Sequence, residues 1–501
     1  MPASFPIARA AALVLHVDVA LILFPVCRSL ISIMRRTILN KIVPFDDNIS
    51  FHILIASAIG VFTVIHVLAH LANFVQITVR NGLGIKGFLL INFSTGPGWT
   101  GWIMLLIFGA MVWTSIEKRR RKNFERFWYT HHLMVLFFLF WALHGAFCMI
   151  ASDYAAKCDN IQSGVLWKYW MYGALAYAIE RAAREYRGRQ PTMISKVIEH
   201  PSNVVEIQIK RPKTKTRAGQ YIFLNCPEVS IYQYHPFTLT SAPEEDYISV
   251  HVRQVGDFTK ALGKAVGCDK DDKSRGPPLK NRDSRVLNED KSAVYAQTDF
   301  DQQLRRVLPK ISIDGPFGSA SEDVFQYEVS VLIGAGIGVT PFASILKSLW
   351  YRMNYPQQHA AGERALNRKV YFFWICRDFG SLEWFRSLLA AIEAADMNWG
   401  IEIHCYLTAR ITANDMANIA MNDVGQGIDG RDAITGLRTP TQFGRPNWEG
   451  IFRGLRRVHA GARAGVFFCG PGGLGKDLEE RCKRFSGGLE GTRFVWGKEN
   501  F

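Results

Sequence analysis

The stretch from Phe51 to Val75, FHILIASAIGVFTVIHVLAHLANFV, constrains this chain more than any other. It is free of charge and long enough to cross a hydrocarbon layer as one helix. It also carries His52, His66 and His70, and an imidazole buried in lipid is costly without a partner. A helix–helix hydrogen bond accounts for one such histidine. It does not account for the pattern, because a second apolar stretch, FWYTHHLMVLFFLFWALHGAF, repeats it with His131, His132 and His144.

Two helices that each carry a histidine near the start, and another 14 or 13 residues later, suit two stacked haems. Each iron would take one imidazole from each helix, closing two six-coordinate sites. At about 1.5 Å per residue the two sites would lie roughly 20 Å apart along the membrane normal. Fourteen residues is close to four turns, so His52 and His66 share a face. Thirteen leaves His144 off the face of His131, and starting from His132 fares no better. The second helix must therefore be irregular, or the haems lie differently against it.

The chain of 501 residues has room for two or three domains. Its net charge of +15 suggests nucleic acid, but the basic residues bunch at the ends of apolar spans, which is the signature of membrane topology. Five spans are expected, at about 10–34, 51–75, 99–116, 127–150 and 164–180. Arg35, Arg36 and Lys41 follow the first, Lys118 to Lys122 and Arg126 the third, and Arg181, Arg184, Arg187 and Arg189 the fifth. Those segments should face the cytosol, together with residues 185–501, leaving loops 76–98 and 151–163 and the N-terminus outside. The first span shows no signal-peptide cleavage pattern and is read as retained. No CxxC pair suggests structural zinc. Cys148 and Cys158 flank an outside loop and are candidates for a disulfide; Cys226, Cys268, Cys376, Cys405, Cys469 and Cys482 fall in the soluble part and should be reduced. Residues 268–303 are polar and almost without apolar periodicity, and are expected to be a disordered insertion.

From about 190 to 265 short alternating runs (MISKVIEH, VVEIQIKR, QYIFLNC, FTLTSA, ISVHVRQV) read as strands of an antiparallel barrel or sandwich. From 327 the pattern becomes strand–helix alternation, which means a mostly parallel sheet. There EVSVLI leads into a turn with Gly334, Gly336 and Gly338, then a helix with Pro341 in its first turn. Such a turn is either a pyrophosphate site at a helix N-terminus or only a tight connection. Arg377 and Arg445 are candidates for a 2′-phosphate, where guanidinium favours NADPH over NADH, or are surface arginines. Cys469 ends the AGVFF strand at the edge where such sheets bind ligands; its role there is chemistry or packing.

At HPFTLTSAPEEDYISVHVRQVGD, DGPFGSASEDVFQYEVSVLIGAGIGVTPFASILKSLWY, FGRPNW, CGP and the terminal KENF, the chain resembles the NADPH oxidase family, and its phagocyte-type catalytic member in particular. The resemblance spans nearly the whole chain apart from 268–303. It implies a ferric-reductase-like transmembrane helical bundle (1–184), followed by a ferredoxin-reductase-like unit. That unit comprises an antiparallel β-barrel FAD domain (185–325) and an α/β, Rossmann-like NADPH domain (326–501). It implies that His52 and His131 hold an inner haem b and His66 and His144 an outer one, with His70 and Arg9 lining an oxygen site above it. His235, Pro236, Phe237 and Thr238 would stand where the wider ferredoxin-reductase group carries its flavin motif. Arg253 would bind the FAD pyrophosphate, with His251 and Thr259 nearby. Thr340, Pro341, Arg377, Arg445 and the turn of Cys469, Gly470 and Pro471 match the NADPH side, and Phe501 the aromatic that covers the flavin ring. The chain begins where the family's second span would, and no calcium-binding EF-hand precedes the membrane part, so direct calcium activation is not expected.

The implied activity is a transmembrane NADPH oxidase. Electrons pass from cytosolic NADPH through FAD and two bis-His haems to oxygen, giving superoxide on the far side. NADPH gives two electrons and a haem takes one, so a flavin is needed between them. With both axial positions filled, oxygen is reduced without binding iron. Arg9 would offer charge to the developing anion or pair with a haem propionate, and His70 would donate a hydrogen bond or order water. The resemblance also implies three partners: a cytosolic activator, a Rho-type GTPase and a small membrane subunit. The alternatives are a ferric or cupric metalloreductase with the same electron path, and a non-catalytic membrane haemoprotein.

Overall fold

The computed structural model describes residues 3–147, 166–200, 202–212, 214–268, 308–355, 369–377, 381–382, 384–395, 400–408, 432, 435–487 and 491–499. They fall into two compact units, Met1–Ala182 and Ala183–Phe501. The proposed Cys148–Cys158 pair, nearly all of 268–303, and Phe501 lie outside the described residues.

The first unit is helical: α1 (Ser4–Leu21), α2 (Asn48–Arg80), α3 (Gly96–Ser115), α4 (Phe124–His131), α5 (Met134–His144) and α6 (Leu166–Gly188), the last running on into the second unit. Among the described residues three helical stretches, Ser4–Val26, Phe45–Arg80 and Gly96–Ser115, are long and apolar enough to cross a membrane. Helices suit that setting because they satisfy their own backbone polar groups. Leu15, Val19 and Ile22 of α1 and the turn after it pack on Ile55 and Ile59 of α2, with Met104, Phe138 and Trp141 behind. Leu13, Leu54, Val61 and Leu68 are left on the outside, where lipid would meet them.

The span expected at 127–150 is not one helix. It breaks between α4 and α5, where the amides of His132, Leu133 and Val135 bond to carbonyls three residues back. Such tightened turns advance faster around the axis than an α-helix does. That is the irregularity the 13-residue spacing demanded.

The second unit begins with a barrel of two three-stranded antiparallel sheets, β1-β2-β5 and β4-β3-β6. The strands are β1 (Met193–His200), β2 (Val204–Lys210), β3 (Tyr221–Asn225), β4 (His235–Thr238), β5 (Ile248–Arg253) and β6 (Ser312–Phe317). Val205, Ile207 and Ile209 alternate into a core shared with Ile222, Leu224, Leu239, Val250 and Ile313. The strand expected over FTLTSA starts and ends earlier, at β4, because Thr240 and Ser241 spend their hydroxyls on Ser249. Helix α7 (Asp257–Ala265) closes one end, and Cys268, expected as the first residue of the insertion, belongs to this core.

The chain then builds a six-stranded sheet in the order β10-β9-β8-β7-β11-β12, all parallel. Its strands are β7 (Val329–Ala335), β8 (Lys369–Cys376), β9 (Ile401–Leu407), β10 (Gln442–Phe443), β11 (Arg463–Cys469) and β12 (Arg493–Lys498). Helices α8 (Thr340–Asn354) and α9 (Arg386–Ala395) cover one face through Phe342, Ile345, Leu346, Leu389 and Ile392. Helices α10 (Trp448–Val458) and α11 (Gly472–Phe485) cover the other through Trp448, Phe452, Leu478 and Phe485. Strands buried on both faces explain the near-continuous apolar runs VSVLI and YFFWIC. Barrel and sheet are tied by α8. Ser344 donates to Ser241 O at 2.6 Å, Ser348 to Glu244 at 2.8 Å, and Lys347 pairs with Glu245 at 3.3 Å. All three stand on one side of α8, as spacings of three and four dictate.

Candidate functional site

In the first unit α2 and the α4–α5 pair bring the histidines together two by two. The ring centroids of His52 and His131 are 6.1 Å apart, and those of His66 and His144 are 6.5 Å apart. Metal–imidazole bonds of about 2 Å, with ring radii of about 1.1 Å, put two imidazoles on opposite sides of one ion roughly 6.3 Å apart. The other ring nitrogen is engaged in three of the four, while Nδ1 of His131 is buried without a hydrogen bond among the described residues. His52 Nδ1 donates to Ile22 O at 3.0 Å and His66 Nδ1 to Ala8 O at 3.1 Å. Thr100 gives its own proton to Gly96 O and accepts from His144 Nδ1 at 2.8 Å. In His52, His66 and His144 Nε2 is thereby left as the ligating atom, as buried partners of metal-bound histidines arrange it. The two carbonyls on α1 and the turn after it stand 14 residues apart, the same interval as the two histidines on α2, so one segment aims both rings. These residues fit two haems, which supply one-electron carriers when bound.

His132 is turned elsewhere: its Nδ1 donates to Trp128 O at 2.7 Å and its ring packs on Trp128. His70 lies with its ring 4.6 Å from that of His66. Arg9 follows Ala8, whose carbonyl holds His66, and is exposed on α1. Sequence reasoning missed His16, which lines a cavity with His66, His144, Phe137 and Trp141 and has its Nδ1 buried without a partner among the described residues. As a lone imidazole in α1, it carried no pattern.

In the second unit the sheet order reverses between β7 and β11, with Gly334 opposite Cys469. That switch point is where open α/β sheets leave a crevice for a ligand. A cleft of about 1370 Å³ opens there, more than the roughly 300–1,000 Å³ of one small-molecule site and enough for two nucleotides. It is lined by Pro236, Phe237, Thr238, His251 and Arg253 from the barrel. Gly336, Gly338, Thr340, Arg377, Arg445, Cys469, Gly470 and Pro471 line it from the sheet. His235, Gly334 and Pro341 are chain neighbours of lining residues, and Thr259 is not among the lining. His235 stacks on Phe258, and the Thr259 hydroxyl accepts from the amides of Val255 and Gly256 at the start of α7.

Two glycines have stated reasons. Gly336 has φ +58°, and a Cβ on Gly338 would sit 2.3 Å from Cys469 O. The turn can therefore bring its amides to the crevice only without side chains. Thr238 donates to Thr340, joining the flavin side to the first turn of α8. Arg253, Arg377 and Arg445 are exposed in the cleft without an ion pair among the described residues, a charge suited to phosphates. These features fit FAD and NADPH, and the flavin supplies the two-to-one electron conversion when bound.

Cys469 is buried, and burial first, then the charge of Glu499, pushes its thiol well above the usual range. It stays neutral. Glu499 is the residue of the cleft that motif reading passed over. Its buried carboxylate accepts from Ser319 Oγ at 2.7 Å and Ser321 N at 2.8 Å, and its own amide donates to Phe468 O. It thus ties the end of β12 to the segment after β6. The signal was present in KENF, two residues before the terminal aromatic.

Comparison with known proteins matches three family models in chain order. They are a ferric reductase like transmembrane component at 18–142, an FAD-binding domain at 190–321 and a ferric reductase NAD binding domain at 327–483. The chain is 40% identical over 505 residues to a superoxide-generating NADPH oxidase heavy chain of Dictyostelium discoideum, covering 99% of this chain and 89% of the relative. It is 35% identical to NADPH oxidase 1 of Mus musculus, with 99% and 87% covered. With respiratory burst oxidase homolog protein F of Arabidopsis thaliana it shares 34% over 99% of this chain and 55% of the relative.

Proposed function

As the chain belongs to the NADPH oxidase family, we propose that it takes electrons from NADPH in the cleft between barrel and sheet and delivers them across a membrane to oxygen, releasing superoxide on the far side. The observation that carries this reading is the pair of histidine couples at 6.1 and 6.5 Å, in the same chain as a cleft shaped for two nucleotides. Either half alone would suit a carrier or a soluble reductase; together they suit an electron path from cytosol to exterior. His52, His131, His66 and His144 would hold the two haems, which would supply one-electron transfer toward oxygen when bound.

The residues around the outer couple support the polarity of the path. Arg9 sits beside the carbonyl that holds His66, and His70 beside the His66 ring. Arg9 holds positive charge where superoxide forms, and His70 donates a hydrogen bond to it. In the cleft, Arg253 holds the flavin pyrophosphate and Arg377 and Arg445 the 2′-phosphate. Phe501 would cover the flavin ring, a role that rests on the resemblance. The arginines at 181, 184, 187 and 189 support a cytosolic second unit. The three partners (cytosolic activator, Rho-type GTPase and small membrane subunit) rest on the resemblance alone.

A ferric or cupric reductase with the same path is the second reading, favoured by the ferric reductase family models. Membranes containing the protein, given NADPH and FAD, decide between them. Oxygen-dependent superoxide that dismutase abolishes supports the oxidase; reduction of chelated ferric ion without superoxide overturns it.

A further inference from the structure

The strands β1, β2 and β5 turn Val205, Ile207, Val250 and Val252 into the barrel core. Alternation puts Glu206 and His251 on the opposite face, where they are direct cross-strand partners. His200 pairs with Val204, two residues from Glu206, and joins them on that face. Three ligand-type side chains from three strands therefore meet at one point, and the electron path does not use them as a group.

Their geometry is that of a metal site. Glu206 Oε2 is 3.2 Å from His200 Nε2 and 3.6 Å from His251 Nε2. Ligands around a tetrahedral zinc stand roughly 3.3–3.6 Å apart. One ligand atom from each of the three residues lies within 4.8 Å of the others. The outer contacts also match: His251 Nδ1 is 2.9 Å from Thr240 Oγ1, and Gln208 donates to Glu206 Oε1 at 2.9 Å. Such contacts leave Nε2 and Oε2 to face the ion. A purely hydrogen-bonded cluster satisfies this arrangement less well. With His200 bonded to Glu206, His251 Nε2 is left buried and without a hydrogen bond among the described residues, on a side chain only 3% exposed. Lys347, the cation nearby, is held by Glu245. His200 is partly exposed and opens a way in.

We propose that His200, Glu206 and His251 bind a divalent cation of the zinc type, with a fourth position left for water. Two histidines and one glutamate form a recurrent zinc ligand set. The ion pins β1, β2 and β5 together at the face that carries His251 to the cleft.

Full-length protein, purified in detergent and stripped with a chelator, is dialysed against zinc, and the metal per chain is measured by mass spectrometry. Wild type is expected to hold one more zinc per chain than His200→Ala or Glu206→Gln, with binding at this site weakened roughly 100-fold or more. FAD and haem content are measured on the same samples; His200→Ala, at a partly exposed position, keeps the test valid if Glu206→Gln fails to fold. Equal zinc in wild type and His200→Ala overturns the proposal, as does a wild type that takes up none. The readout is metal content, so it is independent of whether NADPH oxidation is observed.

Discussion

Gly338 offers the sharpest test of the nucleotide cleft. A Cβ there would lie 2.3 Å from Cys469 O and 2.7 Å from Cys469 C, where carbon contacts need about 3.5 Å. The obstacle is backbone at the end of β11, so no rotamer relieves it. Gly338→Ala must push the turn after β7 and the Cys469–Gly470 corner apart by roughly 1 Å. Overpacking of this kind costs about 1–3 kcal/mol, and a displacement of that size between reacting groups costs about 100-fold in rate. Gly336→Ala is the control. Its Cβ meets nothing within 4 Å, and its strain is the positive φ of +58°, worth about 1–2 kcal/mol. The assay is NADPH-dependent reduction of an artificial acceptor, with flavin content measured alongside. Gly338→Ala is expected to raise KM for NADPH and lower kcat while FAD and haem are retained. Gly336→Ala is expected to lose stability with a smaller kinetic defect. Unchanged kinetics in Gly338→Ala would refute the close packing of turn and corner as the basis of the site.

Three further outcomes follow from the same structure. Asp314 is fully buried and bonded by Arg184 at 3.0 Å and Arg187 at 2.6 Å; Asp314→Asn removes the charge that both guanidiniums bond and should cost about 3–5 kcal/mol, read as flavin loss in denaturant, with a loss below about 1 kcal/mol contradicting it. Burial pushes His251 down from 6.5 to about 3, so the unfolded chain takes up its proton first; stability is full above about pH 6.5 and falls toward pH 3, by about 1.4 kcal/mol at pH 5.5. Metal-free wild type should therefore lose stability between pH 7 and 5.5 more steeply than His251→Gln, and parallel slopes would refute this. Arg9→Gln should lower superoxide release several-fold with both haem spectra intact, and unchanged release removes Arg9 from the mechanism.

The membrane histidines were legible because their spacing is a property of the helix itself, and because two stretches repeated it. The break at His132–Leu133 was legible only as a contradiction: thirteen residues could not serve one face of a straight helix. The carbonyls of Ala8 and Ile22 were not legible, since any residue offers a carbonyl and only packing chooses two of them. In the soluble part, GAGIG and CGP were recognisable motifs, but their mutual contact depends on β11 inserting beside β7, which sequence order hides. The His200–Glu206–His251 group escaped for the same reason. Residues that meet across strands of unknown register carry no local signature.

The central claim is that two histidine couples hold two haems, fed by the nucleotide cleft of the same chain. Its most direct test is haem per chain with the reduced-minus-oxidised spectrum, on purified wild type and on His66→Leu. Two six-coordinate b-type haems are expected, both reduced through added FAD and NADPH, with one haem lost in His66→Leu and the other spectrum preserved. A wild type with fewer than two, or a His66→Leu protein that keeps both, would contradict it.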